Sequence, residues 1–390
     1  MKQIWLAAFL IAAAALATAE TTIYGTLQGN IGNNTVSASS VSNTLEDNSS
    51  HLGLKGSENL SNGWQLRWQV EYAAPLDGTA TEMQQRETFV GLGRERYGQL
   101  RVGKFNSALR DLYTVNVWQF SGGPNQSARA TKGNPARNVG AGGLGPLTNG
   151  ANWLGNAVRY DTPVIAGLSA KLIYAFGENR STAQAPLRPG IQHASDIVNI
   201  GLGYARGKLF ANYAWQREAN PLAANPGGDK TQRSAQSGSN VAAAFVHYLE
   251  AGYRDDSWLA AVAYQYSRGY DWTDCFSGDS HSLFGSPGNY QSAAQYGVQN
   301  RQAAVSIRRA FGALQPKISL ARGWNQRAAG ASLGDSGYRQ IIVGSDYVFS
   351  KRTQASLSHG RLIFGANASA AVNQQRTMLT TTALALQHSF

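Results

Sequence analysis

The chain has 390 residues, of which 34 are Lys or Arg and 23 are Asp or Glu, giving a formal charge of +11. Its only cysteine, Cys275, excludes a disulfide framework and a multi-cysteine metal site. The positive excess is scattered singly, apart from Arg308-Arg309 and Lys351-Arg352, whereas a nucleic-acid binder gathers its cations on one face.

The first segment reads as an export leader. Lys2 supplies a positive start, Ile4 to Ala17 is apolar, and Ala17-Thr18-Ala19 offers small residues for cleavage before Glu20. A signal peptide over 1–19 is expected, followed by a single domain over 20–390. Removing it takes away one cation, Lys2, and leaves a charge of +10. No later apolar run reaches the roughly 20 residues that a membrane-spanning helix needs.

Beyond the leader the dominant period is two. Ile23 to Ile31 alternates apolar or small residues with polar ones. Trp64, Leu66, Trp68, Val70 and Tyr72 fall on one face of the next clear strand, with Gln65, Arg67, Gln69 and Glu71 on the other. Leu168 to Phe176 repeats the pattern, and the last strand puts Leu384, Leu386, His388 and Phe390 on one face. Short connections are expected at Glu58–Gly63, Gly93–Gly98, Arg206-Gly207, Asp255–Ser257, Phe311–Ala313 and Ser350–Arg352. Long Gly-, Ser-, Asn- and Pro-rich ones are expected at Asn33–Ser50, Asn106–Asn152, Glu178–Ser195, Ala219–Asn240 and Gly269–Gln295. Tight turns alternating with long loops predict an all-β fold, a transmembrane antiparallel barrel of about sixteen strands with both ends on one side. The 43 Gly, 17 Tyr and 9 Trp suit strands that face lipid on one side and water on the other. Around sixteen strands enclose a wet lumen, which eight would fill with side chains.

Residues in order along the chain resemble the trimeric general porins of Gram-negative bacteria, in particular the neisserial and β-proteobacterial type. The likeness runs through Ile23-Tyr24-Gly25-Thr26, His51-Leu52-Gly53-Leu54-Lys55-Gly56-Ser57-Glu58-Asn59-Leu60, Trp68-Gln69-Val70-Glu71 and Arg86-Glu87-Thr88-Phe89-Val90-Gly91-Leu92. It continues through Gly98-Gln99-Leu100-Arg101-Val102-Gly103-Lys104, Val158-Arg159-Tyr160-Asp161-Thr162-Pro163, Tyr347-Val348-Phe349-Ser350-Lys351-Arg352-Thr353 and the terminal Leu386-Gln387-His388-Ser389-Phe390. The resemblance implies a 16-stranded outer-membrane barrel, a homotrimer embedded in lipid and lipopolysaccharide. It implies that loop 3, here 106–152, folds into the lumen as the constriction. It implies a passive channel for small hydrophilic solutes with no catalytic role, cofactor or metal. Phe390 would belong to the signal read by barrel-assembly machinery. Gly25, Gly29, Phe89 and Gly91 would lie near the packing surface of the trimer.

The charges adjust that expectation. From Lys104 to Asn152 the cations are Lys104, Arg110, Arg129, Lys132 and Arg137, and the only acid is Asp111. Gln119 stands where the family's loop often has Glu. On the wall, Arg86 matches the family's fourth-strand arginine, and His51 matches a second-strand position that is usually Arg or Lys. Lys55, Arg67, Arg101, Arg159, Lys171 and Lys317 have lumen-facing parity, while Lys104 has the opposite parity and reads as an interface residue. A pore selective for small anionic solutes is therefore expected, because fixed like charges in a narrow lumen concentrate counter-ions. The competing readings are a closed barrel adhesin and a barrel phospholipase. No Ser and His spacing points to the enzyme, and Arg96 spoils a phosphate-binding glycine motif after Gly91-Leu92-Gly93.

Overall fold

Alternation that buries polar side chains and exposes apolar ones cannot close around an oily core. It closes the other way, into a cylinder with lipid outside. The computed structural model describes residues 20–36, 40–48, 50–77, 85–118, 153–176, 196–219, 243–269, 297–328, 330–367 and 375–390. The elements are β1 (Glu20–Val36), β2 (Ser40–Asp47), β3 (His51–Asn59), β4 (Gln65–Ala73), β5 (Gln85–Arg94), β6 (Gly98–Asn106) and the short helix α1 (Ala108–Leu112). They continue as β7 (Trp153–Asp161), β8 (Leu168–Ala175), β9 (Ile197–Arg206), β10 (Leu209–Glu218), β11 (Ala244–Arg254), β12 (Trp258–Arg268) and β13 (Gln299–Arg309). The last are β14 (Leu314–Gly323), β15 (Arg327–Ala328), β16 (Ala331–Ser332), β17 (Tyr338–Val348), β18 (Thr353–Phe364) and β19 (Thr377–Ser389).

All pairings are antiparallel, and neighbouring staves hydrogen-bond each other around the ring, β14 pairing directly with β17. Two features reduce these strands to a 16-stranded closed barrel. β2 and β3 pair with successive stretches of β1 and make one stave, and β15 with β16 form a small hairpin beyond β14. Closure is made by β1 and β19, with Gly25 and Phe390 exchanging backbone hydrogen bonds of 3.2 and 3.0 Å. The chain thus leaves no sheet edge to lipid.

Ile23, Leu27, Leu52, Leu54, Val90, Leu92, Leu172, Val262, Leu384 and Leu386 are exposed on the outside. Gln28, Asn199, Gln216, Gln265, Gln302, Ser319 and Gln340 are buried on the inner face. Exposed aromatics mark both rims. Trp64, Tyr97, Trp258, Phe311, Phe349 and Phe390 ring the tight-turn end, and Tyr174, Phe176, Tyr264 and Trp324 the long-loop end.

Three expectations change. Most of Asn33–Ser50 is strand: β1 and β2 pair from Gly29↔Asp47 to Val36↔Ser40, so this hairpin extends the wall. Its ladder is polar, with Asn33 donating to Asn43 and Asn34 to Thr44, and such a composition reads as loop. Connections at 74–84, 324–337 and 365–376, absent from the sequence reading, complete the long-loop side. Gly25 and Gly29 do share the outward parity of Ile23 and Leu27. Phe89 and Gly91 instead face inward, where Phe89 packs on Phe105 and Gly91 is crowded by Arg101.

Candidate functional site

Loop 3 leaves β6 at Asn106 and turns at once. Ser107 caps α1 by accepting a 3.2 Å hydrogen bond from the Arg110 amide. The segment from Ser107 to Trp118 then runs across the inner wall, and almost every stop has a wall side chain waiting. Asn199 on β9 accepts from the Ala108 amide at 2.7 Å, and Asn212 on β10 donates to the Leu112 carbonyl at 3.0 Å. Glu250 on β11 accepts from the amides of Thr114 at 3.2 Å and Val115 at 2.6 Å. Lys317 on β14 donates to the Val117 carbonyl at 3.0 Å, and Trp118 donates its indole N–H to Ser319 at 2.7 Å.

Between these polar stops the wall becomes apolar. Leu109, Tyr113 and Val115 pack with Phe210, Ala214, Val246, Tyr248, Leu259 and Ala261. At Gly201 on β9 a Cβ would come within 2.6 Å of the Ala108 Cβ, so glycine makes room for α1. The described part of loop 3 is therefore held in the barrel interior by burial as well as by hydrogen bonds.

At the foot of the loop the charges converge. Arg159, only 3% exposed, donates to Asp111 at 2.6 Å, to Asp161 at 2.8 Å and to the Asn106 carbonyl at 3.2 Å. Lys171 stands 3.4 Å from Asp111 and 3.5 Å from Asp161, and Arg101 also bonds Asp161. Arg86 pairs with Glu71 at 2.5 Å, and Tyr24 donates to the other oxygen of Glu71 at 2.8 Å. Glu87 accepts from the Asn106 amide at 3.0 Å. Arg110 and Arg86 both stack on the Trp153 ring, at 3.9 and 5.0 Å from its centre. His51 lies 4.0 Å from Glu71 and edge-on to Tyr24, so a carboxylate faces it.

The structure thus brings Arg86, Arg101, Arg110, Asp111, Arg159, Lys171 and His51 into one neighbourhood. Lys55 and Arg67 stand apart from it, exposed on the inner face; Lys55 lies over the Tyr24 ring at 4.8 Å and Arg67 donates to Gln65. Lys317 is elsewhere again. It is buried against Asp346 at 2.8 Å and over Trp118, where it latches loop 3. Lys104 points outward and donates to the Gln85 carbonyl at 2.8 Å. Arg129, Lys132, Arg137, Gln119 and the leader at 1–19 lie outside the described residues.

Sequence reasoning singled out the cations and Asp111 but passed over the other acidic partners. Glu71 and Asp161 could have been found, since both share the inward parity of Arg67 and Arg159 in their own strands. Glu250, Asn199 and Asn212 gave no local signal. Among the described residues, no group of three or more His, Cys, Asp or Glu is placed to hold a metal.

Comparison with known proteins follows the same outline. The family described as Gram-negative porin matches residues 6–366. The major outer membrane protein P.IB of Neisseria meningitidis serogroup B is 28% identical over 401 aligned residues, covering all of both chains. The protein of that name from Neisseria lactamica is 27% identical with the same coverage. Among solved structures, the anion-selective porin from Comamonas acidovorans superposes with a TM-score of 0.65 at 18% identity, over 95% of this chain and 100% of that one. The trimer form of the outer membrane protein OmpT of Vibrio cholerae gives 0.59 at 14% identity, over 95% and 99%.

Proposed function

Because the chain belongs to the Gram-negative porin family and forms an outer-membrane channel, we propose that this channel prefers small anions, is narrowed by loop 3, and works as a homotrimer. One observation carries the selectivity. At the foot of loop 3 the cations Arg86, Arg101, Arg110, Arg159 and Lys171 outnumber the carboxylates Glu71, Glu87, Asp111 and Asp161. Lys55 and Arg67 add charge to the lumen without an acid partner among the described residues. The rest of loop 3 contributes Arg129, Lys132 and Arg137 and no acid.

The ion pairs moderate the preference without reversing it. A paired cation still orders the wall, while an excess of positive charge in a narrow aqueous space raises local anion concentration. The anion-selective porin from Comamonas acidovorans shares this fold, which supports the reading. OmpT of Vibrio cholerae, of the same fold, is known in a trimer form, which supports the assembly. Reversal potential across a planar bilayer in a KCl gradient tests selectivity: a chloride-permeable sign is expected, and a potassium-permeable sign overturns it. Unheated protein should run as an oligomer in detergent gels and as monomer after boiling.

A further inference from the structure

Asn30 on β1 is a polar side chain that the wall does not satisfy. It is 2% exposed, and among the described residues neither end of its carboxamide has a hydrogen-bond partner. Burying a polar group unpaired is costly, so both of its ends call for something to bind. In the register of the β1–β2 hairpin Asn30 stands opposite Glu46 and Gly32 opposite Thr44, so the four residues share the inner face. On the other flank β19 offers only Ala385 beside Asn30 and Ala383 beside Gly32.

Gly32 opens a space among these groups. A Cβ placed on it would lie 3.4 Å from Asn30 Nδ2, 3.4 Å from Thr44 Oγ1 and 3.8 Å from Asn34 Nδ2, and these are its three nearest atoms. The result is a buried, methyl-sized cradle ringed by polar side chains, into which Asn30 points. Thr44 accepts from Asn34 at 2.9 Å and keeps a second lone pair. A half-turn of the Asn30 carboxamide brings Oδ1 to the cradle and breaks no bond.

The sign of the charge here is the reverse of the rest of the lumen. From Glu20 to Leu54 the chain has three acids and no Lys or Arg, and β19 has neither cation as well. Glu46 therefore adds a carboxylate to a sector of wall built without cations. Asp47 does not share in it: its side chain takes the amides of Ser50 at 3.0 Å and Leu76 at 3.3 Å. Carboxylate, carboxamide and hydroxyl oxygens are the ligands of a hard cation, and Ca2+ tolerates the irregular geometry that Mg2+ refuses. We propose that Asn30, Thr44 and Glu46 bind Ca2+ in the cradle above Gly32, with lumen water completing its shell. The ion ties β1 to β2 in the polar part of the hairpin. With a single carboxylate, the affinity belongs to the weak range of about 10⁻⁴–10⁻³ M.

The test is CaCl2 titration of the whole folded protein in detergent, stripped beforehand with a chelator and followed by calorimetry and thermal melting. NaCl at matched ionic strength is the control. Wild type should bind Ca2+ saturably and melt at a higher temperature with it, while NaCl should not raise the melting temperature. Glu46→Gln removes the charge and Gly32→Ala fills the cradle, and each should weaken Ca2+ at least tenfold. Gly32 does not have a left-handed backbone and its Cβ would meet no atom closer than 3.4 Å, so without Ca2+ the Gly32→Ala protein should melt no lower than wild type. Absence of saturable binding overturns the proposal, as does equal stabilisation by NaCl. Wild-type affinity in either variant places the ion elsewhere and overturns it too. Should either variant not fold, Asn30→Asp adds a second carboxylate and should tighten Ca2+ severalfold; unchanged or weaker affinity there is equally fatal. The site is separate from the selectivity reading: in chelator-treated KCl the Gly32→Ala reversal potential should match wild type.

Discussion

Glu250 on β11 accepts a 2.6 Å hydrogen bond from the amide of Val115, a residue 135 positions earlier in the chain. It also accepts from Thr114, Asn212 and Tyr248, and it is fully enclosed. One carboxylate therefore fixes both the loop and the wall beneath it. In Glu250→Ala the donors lose their acceptor, and each buried unsatisfied group costs about 1–3 kcal/mol. The barrel should still assemble, because its ladder is untouched. Single-channel recordings should show larger or more variable steps as loop 3 comes off the wall. Steps identical to wild type would remove Glu250 as the anchor.

Arg86 and Arg110 share the Trp153 ring, so they test the electrostatics without the buried Arg159 network. Arg86→Glu reverses one charge next to Glu71. A charge acting through water at a few ångströms is worth about 1 kcal/mol, so the chloride-to-potassium permeability ratio should fall about fivefold. Lys55→Glu, farther from the cluster, should act in the same direction and more weakly because salt screens over about 8 Å. Ratios that do not move in either variant would place the selectivity elsewhere.

Phe390 closes the barrel twice, by exchanging backbone hydrogen bonds with Gly25 and by laying its ring over that glycine. A Cβ on Gly25 would sit 2.6 Å from the ring and 2.8 Å from the His51 carbonyl. Gly25→Val should thus destabilise by about 1–3 kcal/mol through overpacking, seen as a lower unfolding midpoint in urea. Deleting Phe390 should cut the outer-membrane yield of heat-modifiable barrel sharply. Unchanged yield would separate the residue from assembly.

On the loop side, Asp335 joins two connections. It accepts from the Ala366 amide at 3.0 Å and pairs with Arg376 at 3.1 Å. The Arg376 side chain, followed by the Ala366 amide, holds the Asp335 carboxyl below the usual aspartate range. A depressed carboxylate contributes its stability above the unfolded-state value, near 3.9, and loses it as pH falls through the folded one. Amide protection at Ala366, corrected for intrinsic exchange, should be constant near neutrality and fall in acid below about pH 4. Asp335→Asn should start lower and show no such fall. Because both groups are exposed, the effect is local and the barrel should survive it.

The sequence by itself determined which face of each strand meets lipid, because side-chain alternation is a local property that register cannot alter once the strand forms. Leu384, Leu386 and Phe390 outside, and Lys55, Arg67, Arg101, Arg159 and Lys171 inside, were legible on that ground alone. Tight turns at Glu58–Gly63 and Asp255–Ser257 were legible for the same local reason, since turn chemistry is written in neighbouring residues. The polar β1–β2 hairpin misled because its Asn, Ser and Thr ladder needs no lipid-facing stripe. Only the tertiary structure decided who answers each charge. Lys317 became a buried latch because Asp346 and Val117 arrive from β17 and loop 3, and Arg159 is held by Asp111 because loop 3 folds back over β7. Glu250 reads as an ordinary polar residue in its own strand, and Tyr248 and Val246 break the polar inner pattern for no local reason. Their explanation arrives with the loop that covers them. Barrel closure and loop docking bring together residues far apart in the chain, and no local period records such contacts.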